Sequence, residues 1–165
     1  MKNTIKALFI CALIIICAIA LTKFVPNSEA PMVIAPKEES SEELLKQQTT
    51  TAIATIVTKQ LLENAILNIT IAQQQDGQHV ELLLQSNEFV DEATLLMDTY
   101  NILHDVQDIE HIEQITIRWH RLVENKNTEV LTLTVSKKTL VTLSDSSHEK
   151  LPELADVYEK HPVLQ

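Results

Sequence analysis

Gly77 is the only glycine in a chain of 165 residues. A left-handed backbone is therefore free of steric cost at one position alone. A phosphate-cradling loop and a serine nucleophile elbow each need two glycines, and a dinucleotide fingerprint needs three. Those three kinds of site are excluded. Asp76-Gly77 stands between two alternating stretches, Leu67, Ile69 and Ile71 before it and Val80, Leu82 and Leu84 after it. Alternation with period two on both sides of Asp-Gly predicts a β-hairpin.

Location is written at the N-terminus. Lys2 and Lys6 precede an unbroken apolar run from Ala7 to Leu21, followed by Lys23, Phe24 and Val25. The run has no polar stripe, which separates it from a surface helix. Two readings stay open for residues 1–24. They form a signal anchor, a transmembrane helix with its lysines in the cytoplasm, or a signal peptide cleaved after Ala18-Ile19-Ala20. Both place the rest of the chain outside the cytoplasm, on the cell membrane or secreted. Cys11 and Cys17 follow Ile10 and Ile16, which does not suit lipid attachment, and no cysteine occurs past residue 24. The exported part thus has neither a disulfide nor a thiolate.

Pro26, Pro31 and Pro36 mark residues 25–40 as an extended tether. No proline follows until Pro152, and residues 41–145 are expected to form an α+β domain. Ser40 with Glu43 has capping-box spacing, and Leu45, Ala52, Ile53, Ile56, Val57, Leu61 and Leu62 recur at helical spacing to about Asn64. Thr49, Thr50 and Thr51 weaken its first turns. After the first hairpin, Ser86 or Asn87 is expected to cap a second helix. Its buried stripe is read as Phe89, Ala93, Leu96, Met97, Tyr100 and Leu103, ending near 104–107.

Ile115, Ile117 and Trp119 then alternate with Thr116, Arg118 and His120. A polar loop, Glu124–Thr128, leads to Leu131, Leu133 and Val135. The predicted order is α-β-β-α-β-β, an antiparallel sheet packed against helices. In element order alone it is similar to the small ring-building domains of bacterial extracytoplasmic assembly machines, and no residue motif carries that likeness. Residues 146–165 are expected to be a C-terminal tail with a short helix over about Ser147–Lys160.

Charge narrows the partners. The chain carries 13 basic and 23 acidic residues, a net charge of −10. Residues 1–24 hold three of the bases and no acid, so the remainder stands at −13. Such a surface repels phosphate backbones, and nucleic acid is not an expected partner.

Candidate chemistry is sparse. His104, Asp105, Asp108, Glu110 and His111 offer imidazole and carboxylate groups, and on a continued helix His104, Asp108 and His111 would share a face. Val106, Ile109 and Ile112 argue for a chain that turns there instead. Ser144, Asp145, Ser146, Ser147 and His148 share one polar connector, whereas catalytic triads converge from separate segments. Asp91-Glu92 suits a helix start. The sequon Asn68-Ile69-Thr70 matters only in a host that glycosylates its exports. Arg118, His120 and Arg121 gather round Trp119, with Arg118 and His120 on one strand face and Trp119 on the core side.

The expectation is a membrane-tethered extracytoplasmic interaction or assembly module without catalytic activity. It needs no cofactor or metal, and its partner is another protein or a second copy. The alternative is an exported small-ligand or metal-binding protein using the His104–His111 segment.

Overall fold

The capping box at Ser40 starts the first helix, α1, Ser41–Gln60. The Glu43 amide donates to Ser40 Oγ at 3.2 Å, and the Ser40 amide donates to Glu43 Oε2 at 3.3 Å. The computed structural model describes residues 40–61, 65–143 and 146–164. The apolar segment within 1–24 and the tether up to residue 39 lie outside them. Among the described residues no helix is long and apolar enough to cross a membrane. Helix α1 runs unbroken through Thr49–Thr51, whose hydroxyls donate back to the carbonyls of Leu45, Lys46 and Gln47. That back-bonding is mildly unfavourable to a helix, and burial of Thr49, Ile53 and Val57 against the core outweighs it. The helix stops at Gln60, earlier than its apolar spacing suggests, because Leu61 turns to an extended conformation.

Strands β1, Ile66–Gln73, and β2, Gln78–Gln85, form the expected hairpin. Its turn is closed by the Gln74 amide on the Gly77 carbonyl at 2.8 Å, with Gly77 at φ +146°. Helix α2, Glu92–Val106, follows. Its cap is Asp91, further on than expected, and the Asp91 carboxylate accepts from the Thr94 amide. The reason is an earlier turn in which Asn87 Oδ1 takes the Phe89 amide, leaving Phe89 88% exposed. The buried stripe is Leu95, Leu96, Thr99, Ile102, Leu103 and Val106, so Met97 faces outward rather than inward.

Strands β3, Ile112–Val123, and β4, Lys126–Ser136, make the second hairpin. The loop expected over Glu124–Thr128 is only two residues, Glu124 and Asn125, both at positive φ. Two left-handed residues give a type I′ turn, whose twist matches that of the strands it joins.

The sheet order is β1-β2-β3-β4-β5, and the sheet is mixed rather than antiparallel. β2 and β3 run parallel, from Val80 beside Ile115 to Gln85 beside His120. Helix α2 carries the chain back along the sheet between them, and a helical crossover is what joins parallel neighbours.

The tail also departs from expectation. After a short helix, α3, Lys137–Thr142, a single 3-10 turn at His148–Lys150 leads into α4, Leu151–Leu154. The chain then extends as β5, Val157–Lys160, antiparallel to β4. The helix read over Ser147–Lys160 thus breaks at Leu154. Leu151 and Leu164 are both buried, so the tail closes the core.

The core lies between one face of the sheet and helices α1 and α2. Leu82, Leu84, Ile115, Ile117, Leu131 and Leu133 meet Ile53, Val57, Leu95, Ile102 and Leu103, all essentially without solvent contact. Trp119 is buried among them, as expected. Its indole N–H donates to Thr99 Oγ1 at 2.8 Å, which satisfies the one polar atom that the ring brings inside.

Candidate functional site

The two edges of the sheet differ in kind. β5 is four residues long, carries Glu159 and Lys160, and is followed by Pro162. Shortness, charge and proline are the devices by which sheets discourage strand addition. β1 is eight residues long and has none of them. Among the described residues it pairs only with β2, which leaves its other edge unpaired. From Ala65 to Gln75 no residue is ionisable. A shift in register places Leu67 as an extra residue opposite β2, 45% exposed. Asn68 and Thr70 stand exposed on the sheet face away from the helices, bonded to each other through Asn68 Nδ2 and Thr70 Oγ1 at 3.2 Å.

Helix α1 extends the same surface. It packs against β1, and no residue from Gln47 to Thr58 is ionisable. Its exposed side chains there are Gln47, Gln48, Thr51, Thr55 and Thr58. An uncharged flank of helix and strand therefore lies along one side of a molecule that is 22% charged.

The open face of the sheet closes its charges on itself. Arg118 reaches Glu81 Oε1 on β2 at 2.9 Å and Glu129 Oε2 on β4 at 3.2 Å. Thr116 and Thr134 share a hydrogen bond, and Thr132 donates to the other oxygen of Glu129. His120 Nε2 lies 3.9 Å from Glu129. Both acids lie on strands that flank β3.

Arg121 does not belong with that face. Alternation puts it on the side of Trp119, where it is 5% exposed. Its guanidinium donates to the carbonyls of Val90 at 3.1 Å and Val163 at 2.8 Å, and more distantly to that of Glu88. It fastens the α2 approach and the chain end to β3.

The His104–His111 segment is not drawn together. Helix α2 ends at Val106, so His104, Asp108 and His111 do not share a helical face. No group of three His, Cys, Asp or Glu suited to a metal ion occurs among the described residues. Asp105 is engaged by α1 instead: Gln60 Nε2 donates to it at 2.8 Å and Lys59 lies at 3.8 Å. The Gln60 bond, assisted by the charges of Lys59 and His104, holds its carboxyl below the usual range against the opposing effect of burial. In the serine-rich connector, Ser144 and Asp145 lie outside the described residues. Ser146 Oγ donates to the Leu143 carbonyl at 2.9 Å.

One cleft escaped the sequence. It holds about 630 Å³ between the end of α1, the start of α2 and the ends of β2 and β3, with Lys59, Leu61, Gln85, Leu95, Asp98 and Trp119 in its walls. Burial raises the Asp98 carboxyl above its ordinary value. The only sequence signal was an acid placed next to Thr99, one step off the buried stripe.

Compared with protein-family models, curated proteins and solved structures, the chain matches none.

Proposed function

We propose that the chain is a non-catalytic interaction or assembly module, tethered to the membrane with its α+β domain outside the cytoplasm, and that β1 is its docking strand. The observation that carries this reading is the uncharged, eight-residue edge of β1, unpaired among the described residues. Its backbone N–H and C=O groups are ready to pair with an added strand, which supplies affinity, and its side chains supply selectivity. The apolar run after Lys2 and Lys6 supports the anchor, and Pro26, Pro31 and Pro36 support the extended tether.

The test is a photo-reactive residue at position 70 of the full chain in its native membrane. A discrete covalent adduct is expected there and not from position 159 on the β5 edge. No adduct at position 70 removes the reading.

A second reading, binding of a small ligand, is favoured by the cleft beside Asp98 rather than by His104–His111. Trp119 is the only tryptophan, so its emission reports on occupancy directly. A small apolar amine should shift that emission in the wild type and not in Asp98→Asn. Equal response of both proteins counts against it.

A further inference from the structure

We infer that the occupant of the β1 edge is the β1 edge of a second copy, paired antiparallel about a two-fold axis. This rests on β1 being the docking strand and names what docks.

Charge carries the first part of the argument. The chain has a net charge of −10, so two copies repel across most approaches. The flank made by Gln47–Thr58 of α1 and Ala65–Gln75 around β1 is free of ionisable groups, and there the repulsion is least. A foreign partner is usually steered and selected by complementary charge. This flank presents none to complement, whereas an identical neutral strand fits it without a buried unpaired ion.

Closure carries the second part. Two β1 edges meeting about a two-fold axis use up both unguarded edges. The resulting sheet has ten strands, twice the five of one copy, and β5 is its outermost strand on both sides. Those outer edges are short and bear Glu159, Lys160 and Pro162, so growth stops at two. The asymmetry between the edges is what a closed pair requires and what an open filament would lack. The paired strands run about 27 Å at roughly 3.4 Å per residue, and a common membrane anchor would raise the local concentration of copies.

The geometry makes a numerical demand. In an antiparallel pair of identical strands, residues opposite each other have numbers that add to one constant. In full-length protein with Cys11→Ser and Cys17→Ser, single cysteines at positions 68, 70 and 72 are combined pairwise and bridged with a short thiol cross-linker. Cross-linked pairs obeying one constant sum, with none from position 159, are expected. Sedimentation of the full chain in detergent should give a dimer, and Thr70→Lys should weaken it at least tenfold, with the melting temperature unchanged at dilutions where both proteins are monomeric. Should Thr70→Lys melt lower, Asn68→Lys and the cysteine pairs carry the same test.

A wild type that is monomeric at every concentration, or cross-links that follow no single sum, overturns self-pairing. A foreign adduct at position 70 alongside a monomeric wild type overturns it too, yet leaves β1 as a docking strand. Absence of every adduct removes both.

Discussion

The guanidinium of Arg121 donates to the carbonyl of Val163 at 2.8 Å, tying the end of the chain to strand β3. The same group holds the Val90 carbonyl at 3.1 Å, so one side chain secures two segments separated by most of the domain. Hydrogen bonds from a charged donor contribute about 1.5–3 kcal/mol each, and loss of the buried Arg121 side chain adds its packing to the cost. Arg121→Ala should therefore destabilise the domain by about 3 kcal/mol, read as a lower urea midpoint. Amide exchange at Leu164, whose N–H bonds to the His161 carbonyl, should accelerate ahead of the core strands. Unchanged exchange there would show that the chain end is held by other contacts.

Gly77 is required twice over. Its φ of +146° belongs to a region nearly closed to L-residues, and a Cβ would stand 2.5 Å from Glu113 Cγ and 3.0 Å from the His111 carbonyl oxygen. The Glu113 side chain can swing away, whereas the carbonyl is backbone and cannot. Gly77→Ala should cost about 1–3 kcal/mol, measured by thermal or urea unfolding. A neutral result would mean that the turn adopts another form.

Gln78 is fully buried, and neither amide atom finds a partner among the described residues. An unsatisfied buried amide costs about 1–3 kcal/mol by mutational measures. Gln78→Met keeps the length of the side chain and deletes the polar atoms, so it should raise the melting temperature. A drop on substitution would assign the amide a partner that stabilises it.

Two acids should respond to pH with opposite signs. Burial alone would raise the Glu92 carboxyl, but hydrogen bonds from Lys160 and Tyr158 on β5 outweigh it and hold it below its ordinary value. Its contribution is therefore present above the unfolded-state value and fades as pH falls through the lowered one. Glu92→Gln should melt below wild type at pH 7 and equal it near pH 2. Asp98 is raised by burial, so its ionisation disfavours the folded state as pH climbs. Asp98→Asn should melt above wild type at pH 7 and match it below pH 3. Parallel shifts for both variants would contradict the assigned environments.

Local patterns were readable where one physical cause dominates. Ser40 and Glu43 form their capping box, Asp76-Gly77 turns a hairpin, and Trp119 packs inward on a period of two. The direction of β3 relative to β2 was not readable, because it depends on where α2 delivers the chain rather than on either strand. The tail misled for a different reason. Leu151, Leu154, Ala155 and Tyr158 fit a helical spacing, yet the extended β5 also turns Tyr158 towards the core face opposite Leu133. Arg121 was grouped by charge with Arg118 and His120, although its parity in the strand already placed it beside Trp119. The β1 edge was readable in part: alternation gave the strand, but only the sheet order shows that it has no second neighbour among the described residues.

The parallel seam between β2 and β3 bears on the order in which the domain assembles. Each hairpin closes over a short turn, four residues from Gln74 to Gly77 in one and Glu124-Asn125 in the other. The seam joins strands separated by the whole of α2, so its loop-closure entropy is larger and its contacts come later. The two hairpins are expected to be the fast units of folding and their union the slow event. Gly77 lies where that union begins, against the His111 carbonyl that the Gln78 amide binds at 2.8 Å. The chain's single glycine thus sits where the parallel seam between the two hairpins opens.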